Sequence, residues 1–120
     1  MTIANYLENK LLDTLGNISF TVATPYVKLH LGDPGENATA NPAVETTRKA
    51  ITFNAAASGS MGAAATVTWT NVAATEVYTH WSLWDASTSG NALWSGAFNT
   101  SASVTAGDTF QITALTLTLD

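Results

Sequence analysis

The strongest constraint on the fold is a tryptophan-rich stretch, Glu76 to Phe98, which has the alternation expected of a β-hairpin. One side of its first strand carries Val77, Thr79, Trp81 and Leu83, and the other carries Tyr78, His80, Ser82 and Trp84. A polar run then reverses the chain, with Gly90 and Asn91 able to take positive φ, and a second strand returns over 92–98. Because both faces carry large aromatic side chains, we predict that the hairpin is central and covered on both sides.

Short alternating segments before and after the hairpin predict further strands. They are 18–22, 26–31, 49–54, 66–70, 101–105, 110–112 and 115–119. The segments 32–47, which opens on a Gly-Asp-Pro-Gly turn, and 55–65 are predicted to be loops. The spacing predicts a mainly β protein, a sandwich or barrel of mainly antiparallel strands, and we expect an antiparallel β-sandwich of jelly-roll-like or Ig-like form.

One amphipathic helix is predicted at the N-terminus, from Thr2 to Leu15. Its apolar stripe consists of Ile3, Leu7, Leu11 and Leu15, with Leu12 beside it. Thr2 is a suitable N-cap, and Gly16 is suited to end the helix in the left-handed conformation. The helix either lies on the β core or forms an arm that docks on another subunit. The length predicts a single domain, with the helix in 1–16 and the sandwich in 18–120.

The charge content excludes several classes of partner. Only 11% of the residues are charged, well below the typical quarter. The net charge is −5 with four basic residues, which argues against binding nucleic acid or an anionic membrane surface. We expect no signal peptide or membrane span, and the chain contains no cysteine. A weakly charged surface tolerates neighbours, so we expect an assembly subunit and a homo-oligomer.

The sequence carries no recognisable catalytic or metal-binding constellation. His30 and His80 each lie within a predicted strand among apolar neighbours, which favours a structural role, although His80 could line a shallow groove. A zinc site needs three or four ligands at a recognisable spacing, and no such motif is present. We therefore predict a non-enzymatic protein with no catalytic, cofactor-binding or metal-binding residues.

The long polar loop and the tryptophans are the candidate contact points with a partner. Carboxylates of the loop could bind Ca²⁺, but they lack the ligand spacing of an EF-hand, which favours a solvated loop. The tryptophans could form a sugar-binding platform, although core packing is their commoner use. The predicted partner-contact residues are Asp33, Glu36, Asn37, Asn41, Glu45 and Trp84.

Five segments of the chain together resemble a small structural protein family of tailed bacteriophages. They are ANYLENKLLDTLG, TPYVKLHLGDPGE, RKAITFNAAASG, YTHWSLWDASTSGNALWSGAF and VTAGDTFQITALTLTLD. The likeness covers nearly the whole chain, and it consists mainly of strand and turn residues. Members are usually labelled tail-fibre-like or minor virion proteins. Ser82 and Trp84 depart from the pattern, because members tend to have glycine and a smaller apolar residue there.

The resemblance implies a virion protein whose partners are other virion proteins, either the major capsid protein or tail proteins. Compactness and low charge favour a capsid decoration or cement protein. The alternative is a tail-fibre or tail-tip adhesin or adaptor that contacts the host surface. The length leaves no room for a fibrous shaft, so such a module would bind a longer protein. A bound glycan is possible, but no residue pattern supports one, and an enzyme is the least favoured hypothesis.

Overall fold

The centre of the molecule is a five-stranded antiparallel sheet, as seen in a computed structural model that describes residues 1–119. The elements are β1 Thr2–Ile3, α1 Asn5–Leu15, β2 Tyr26–His30, β3 Lys49–Ala50, β4 Ser60–Gly62, β5 Val67–Trp69, β6 Glu76–Trp84, β7 Ala92–Val104, β8 Phe110–Ile112 and β9 Thr116–Thr118. The sheet order is β1-β7-β6-β2-β3, and two-stranded ribbons β4–β9 and β5–β8 accompany it. The predicted mainly β, antiparallel fold with one N-terminal helix is confirmed.

The predicted hairpin forms the middle of this sheet as β6 and β7. β7 continues to Val104 and so absorbs the separate strand that the sequence predicted over 101–105. Tyr78 pairs with Ala102 and His80 pairs with Ala97, so residues 98–101 bulge opposite a single residue of β6. An odd number of extra residues changes which residues of the two paired strands share a face. Here the change falls on β6, because Tyr78 lies in the same core as Trp81, although simple alternation places them on opposite faces.

One face of the sheet carries the apolar core. Leu29 lies opposite Trp81 and Val27 lies opposite Leu83, and all four side chains are buried. The helix and the two ribbons cover this face with Leu7, Val67, Trp69, Ile112 and Leu117. The second layer of the sandwich is thus made of α1 and two short ribbons.

The helix begins later than predicted because the chain first pairs with the sheet. Thr2 and Ile3 form β1 opposite Ser95 and Trp94, so Thr2 cannot act as the N-cap. Ala4 occupies that position without a side-chain hydrogen bond. At the other end Gly16 has φ −82°, and Asn17 takes the left-handed conformation instead. The predicted Thr2 cap and Gly16 terminator were therefore wrong.

The apolar stripe of α1 packs on the core only along part of its length. Leu7 is buried and Leu11 is half-buried, whereas Leu12 is 65% exposed and Leu15 is 85% exposed. The helix therefore lies on the β core and leaves its last turn uncovered.

Three further segments differ from the predictions. Residues 18–22 form no strand, and the strand predicted over 49–54 is limited to Lys49–Ala50. The predicted loop 55–65 contains β4, whose small residues become a strand through pairing with β9. The predicted sandwich range ends at Asp120, which lies outside the described residues. Across residues 1–119, no helix has the length and apolar character needed to cross a membrane.

Candidate functional site

The second face of the five-stranded sheet is polar and lies under a long loop. His30, Ser82 and Ser95 project from this face, and all three are buried. Their cover is the segment 31–48, which we call the covering loop. Its backbone follows β2, because the Ala43 amide donates to Leu29 and the Leu31 amide donates to Asn41.

A continuous chain of hydrogen bonds crosses this polar face. Nδ1 of His30 lies 3.0 Å from the carbonyl oxygen of Ala40, and because a carbonyl only accepts, Nδ1 carries the hydrogen. Nε2 of the neutral ring therefore accepts from the Ser82 hydroxyl at 2.7 Å. The indole N–H of Trp84 donates to the same Ser82 oxygen at 2.8 Å. The network holds one tautomer of His30 and joins the sheet to the covering loop.

The Ser82–His30 contact has the distance of a nucleophile and its base, but its surroundings differ from those of a catalytic pair. Nδ1 of His30 faces a backbone carbonyl where a catalytic triad has a carboxylate. Ser82 and His30 are both fully buried, so no substrate atom can approach the hydroxyl. The arrangement is a structural network that the sequence did not reveal, because its members are far apart along the chain.

The protonation of His30 makes a prediction about stability. Burial lowers the pKa of His30, the charge of Lys28 lowers it further, and the hydrogen bond to Ala40 opposes both. Unfolded His30, with the ordinary histidine pKa of about 6.5, then binds its proton at a higher pH than the folded residue. The contribution of neutral His30 to stability is complete above the pKa of the unfolded residue and is lost as the pH falls below it. The free energy of unfolding then changes by at most about 1.4 kcal/mol per pH unit.

We expect urea denaturation between pH 7.5 and pH 5.5 to give a free energy of unfolding that decreases with decreasing pH. His30→Gln should flatten this dependence, although the variant is less stable throughout. His80→Gln removes a neighbouring charge that lowers the pKa of His30, so it should weaken the pH dependence without abolishing it. An unchanged slope in His30→Gln would contradict the assignment.

Two carboxylates and one indole fix the far end of the covering loop. The Glu76 carboxylate accepts from the backbone N–H groups of Val44 at 2.7 Å and Glu45 at 3.2 Å. The Glu45 carboxylate accepts from Thr47 at 3.3 Å and Ala73 at 3.2 Å. The indole N–H of Trp69 donates to the Thr47 carbonyl at 2.8 Å. The loop is thus held by core residues as well as by its own turns.

Four of the predicted contact residues lie together at the exposed tip of the covering loop. They are Asp33, Glu36, Asn37 and Asn41. The Asp33 carboxylate accepts from the Gly35 amide at 2.9 Å, and the Asn41 side chain donates to the Asp33 carbonyl at 2.9 Å. These bonds make the tip a defined surface, which we call the loop tip.

The other two predicted contact residues are placed differently. Glu45 is only 8% exposed and its carboxylate is used within the chain, so it anchors the loop and presents nothing to a partner. Trp84 is half-buried under a cation, because the Arg48 guanidinium lies 3.9 Å from the centre of its ring. Nζ of Lys28 lies 6.0 Å from the same ring. Sequence reasoning missed both basic residues, since Lys28 meets Trp84 through the register of β2 with β6 and Arg48 reaches it from the covering loop.

Within residues 1–119, no cluster of His, Cys, Asp or Glu side chains is suited to hold a metal ion. The exposed candidate surfaces on the polar face of the sheet are the loop tip and the aromatic–cationic surface around Trp84.

Comparison with known families identifies the chain over almost its whole length. A family model described as "Podophage GP4 fiber I protein gp80" matches residues 2–120. No curated protein matches the chain significantly. The match agrees with the tailed-phage resemblance of the sequence segments. The chain therefore belongs to this podophage fibre protein family and is a component of a phage virion.

Proposed function

We propose that the protein is a module of the podophage tail fibre that contacts the host surface and does so without catalysing a reaction. The observation that carries the proposal is the family match over residues 2–120, because the family is described as a fibre protein. The same match favours the tail-fibre interpretation over capsid decoration, which the sequence had favoured.

Two surfaces support a role in contact with other proteins. The loop tip presents Asp33 and Glu36 on a backbone held by hydrogen bonds, so little ordering is needed when a partner binds. The last turn of α1 leaves Leu12 and Leu15 exposed, which favours contact with a further subunit. We assign the loop tip to contact with the host surface, and the exposed end of α1 to neighbouring virion proteins or other copies of the chain.

Localisation on intact virions tests the proposal. Antibodies raised against the folded protein should label the tail in immunogold electron microscopy, and cryo-electron microscopy density of this size should lie in the fibres. Labelling spread over the capsid shell, at a copy number set by capsid symmetry, would contradict the fibre role and support decoration instead. An antibody against the major capsid protein is the control for shell labelling.

A cell-binding assay then tests the contact with the host. Removing residues 36–47 would uncover the buried His30 and Ser82, so a deletion cannot separate binding from folding. Substitutions at the exposed Glu36 and Asn37 leave those contacts in place and are the appropriate variants for the loop tip.

A further inference from the structure

Two of the four basic residues of the chain meet at Trp84. Lys28 pairs with Ser82 across β2 and β6, and Tyr26 pairs with Trp84, so the side chains of Tyr26, Lys28 and Trp84 share one face. Arg48 reaches this face from the covering loop and stacks on Trp84. Tyr26, Lys28, Arg48 and Trp84 form a surface that we call the cationic platform.

No carboxylate of the described chain forms an ion pair with Lys28 or Arg48. Among residues 1–119 the one ion pair joins Lys10 to Asp13 at 3.9 Å. The charge of Asp85 acts on Arg48 and opposes the lowering of its pKa by burial. The Asp85 carboxylate itself accepts hydrogen bonds from the backbone and side chain of Asn91. Burial and the neighbouring charge of Arg48 lower the pKa of Lys28. Two like charges are therefore held together, which an anion between them would relieve.

Arg48 is also oriented to bind such an anion. Its Nη1 atom donates to the carbonyl oxygens of Ala86 at 2.9 Å and Ser89 at 2.7 Å, which fixes the guanidinium plane against the hairpin turn. Within the described residues, Nε and Nη2 have no acceptor. A guanidinium fixed in this way offers a planar pair of donors suited to a carboxylate or a phosphate.

We propose that the cationic platform binds an acidic sugar of the host surface, a glycan unit that carries a carboxylate or a phosphate. Arg48 and Lys28 bind the anionic group above Trp84, and the exposed part of the Tyr26 ring contacts the apolar face of the sugar ring. The inference rests on the proposed contact of the fibre with the host. Two cations are too few for a nucleic acid backbone, and the aromatic ring of Tyr26 beside them favours a sugar over an acidic peptide.

Titration of the purified protein with small ligands tests the site directly. The probes are galacturonate, glucose 6-phosphate, inorganic phosphate, neutral glucose and a short poly-glutamate peptide, each followed by two-dimensional NMR of the backbone amides and indoles. We expect galacturonate or glucose 6-phosphate to shift the Trp84 indole and the amides near Lys28 and Arg48. The acidic sugar that binds identifies whether a carboxylate or a phosphate is the natural group. Neutral glucose should cause no shift.

Lys28→Gln is the decisive variant, because Lys28 makes no hydrogen bond with another described side chain and its loss relieves repulsion with Arg48. At low ionic strength its melting temperature should equal or exceed that of the wild type, while its dissociation constant for the acidic sugar rises about tenfold or more. Arg48→Gln should lose binding too, but it also loses the bonds to the hairpin turn.

Lys10→Gln is the matched control. Lys10 also lies over an aromatic ring, at 5.7 Å from the centre of Tyr6, but Asp13 neutralises it. This variant should bind the acidic sugar as the wild type does.

Several results would overturn the proposal. They are no binding of either acidic sugar, equal binding by Lys28→Gln, equal affinity for inorganic phosphate, and tighter binding of poly-glutamate. Localisation on the virion is measured separately, so a protein found in the fibre that binds no acidic sugar would refute the site and leave the fibre role intact. A sugar-binding protein found on the capsid shell would refute the fibre role alone.

Discussion

Replacing Trp69 with alanine is expected to lower the free energy of unfolding by about 3–5 kcal/mol, the range for truncating a large buried aromatic side chain. Trp69 is 1% exposed and packs against Phe110, with ring centres 5.8 Å apart. Because a domain has a total stability of only ~5–15 kcal/mol, the variant should be largely unfolded at moderate temperature or low denaturant. Chemical denaturation followed by far-ultraviolet circular dichroism measures the change.

Trp69→Phe separates the packing of this side chain from its hydrogen bond. Phenylalanine keeps an aromatic ring beside Phe110 but leaves the Thr47 carbonyl without its donor, so we expect a smaller loss of about 1–3 kcal/mol. Its effect should be concentrated in the covering loop, where hydrogen exchange of the Val44 and Glu45 amides should accelerate more than exchange in β2. A loss below ~1 kcal/mol in Trp69→Ala would show that Trp69 does not connect the loop to the core.

The hairpin and the core could be predicted because each depends on local sequence. Alternation identified β6 and the strand within 66–70, and the polar run identified the turn. Side-chain alternation is a property of a single strand, so it needs no knowledge of a partner strand. The same reasoning failed at the bulge, where Tyr78 of β6 enters the same core as Trp81 without any local signal.

The polar side of the sheet could not be predicted because its contacts join distant parts of the chain. His30 was correctly interpreted as structural, but its partner Ser82 is 52 residues away. The loop tip was located by its turn residues, whereas the burial of Glu45 depends on the positions of Ala73 and Glu76. Small residues gave β4 no strand signal, because its pairing with β9 supplies what its own sequence does not.

Ser82→Ala is expected to cost about 2–4 kcal/mol, because one missing hydroxyl leaves two groups without a partner. Nε2 of His30 loses its donor in a fully buried position, and the indole N–H of Trp84 loses its acceptor. The change in volume is a single oxygen atom, so cavity formation adds little. Without its bond to Ser82 the indole should also become more mobile, and its NMR signal should broaden. Arg48, which stacks on Trp84, should be affected with it.

Ser95→Ala provides the matched control for this network. Ser95 lies directly opposite Ser82 on β7 and is 4% exposed, yet its hydroxyl takes no part in the chain of bonds to His30. We expect Ser95→Ala to lower stability by clearly less than Ser82→Ala, because it leaves neither His30 nor Trp84 without a hydrogen-bond partner. Adding Ser82→Ala to His30→Ala should cost much less than Ser82→Ala alone, since the histidine that needed the hydroxyl is then absent. Additive losses in this double-mutant cycle would mean that Ser82 and His30 stabilise the sheet independently, and the network would not be the unit that holds the covering loop on its polar face.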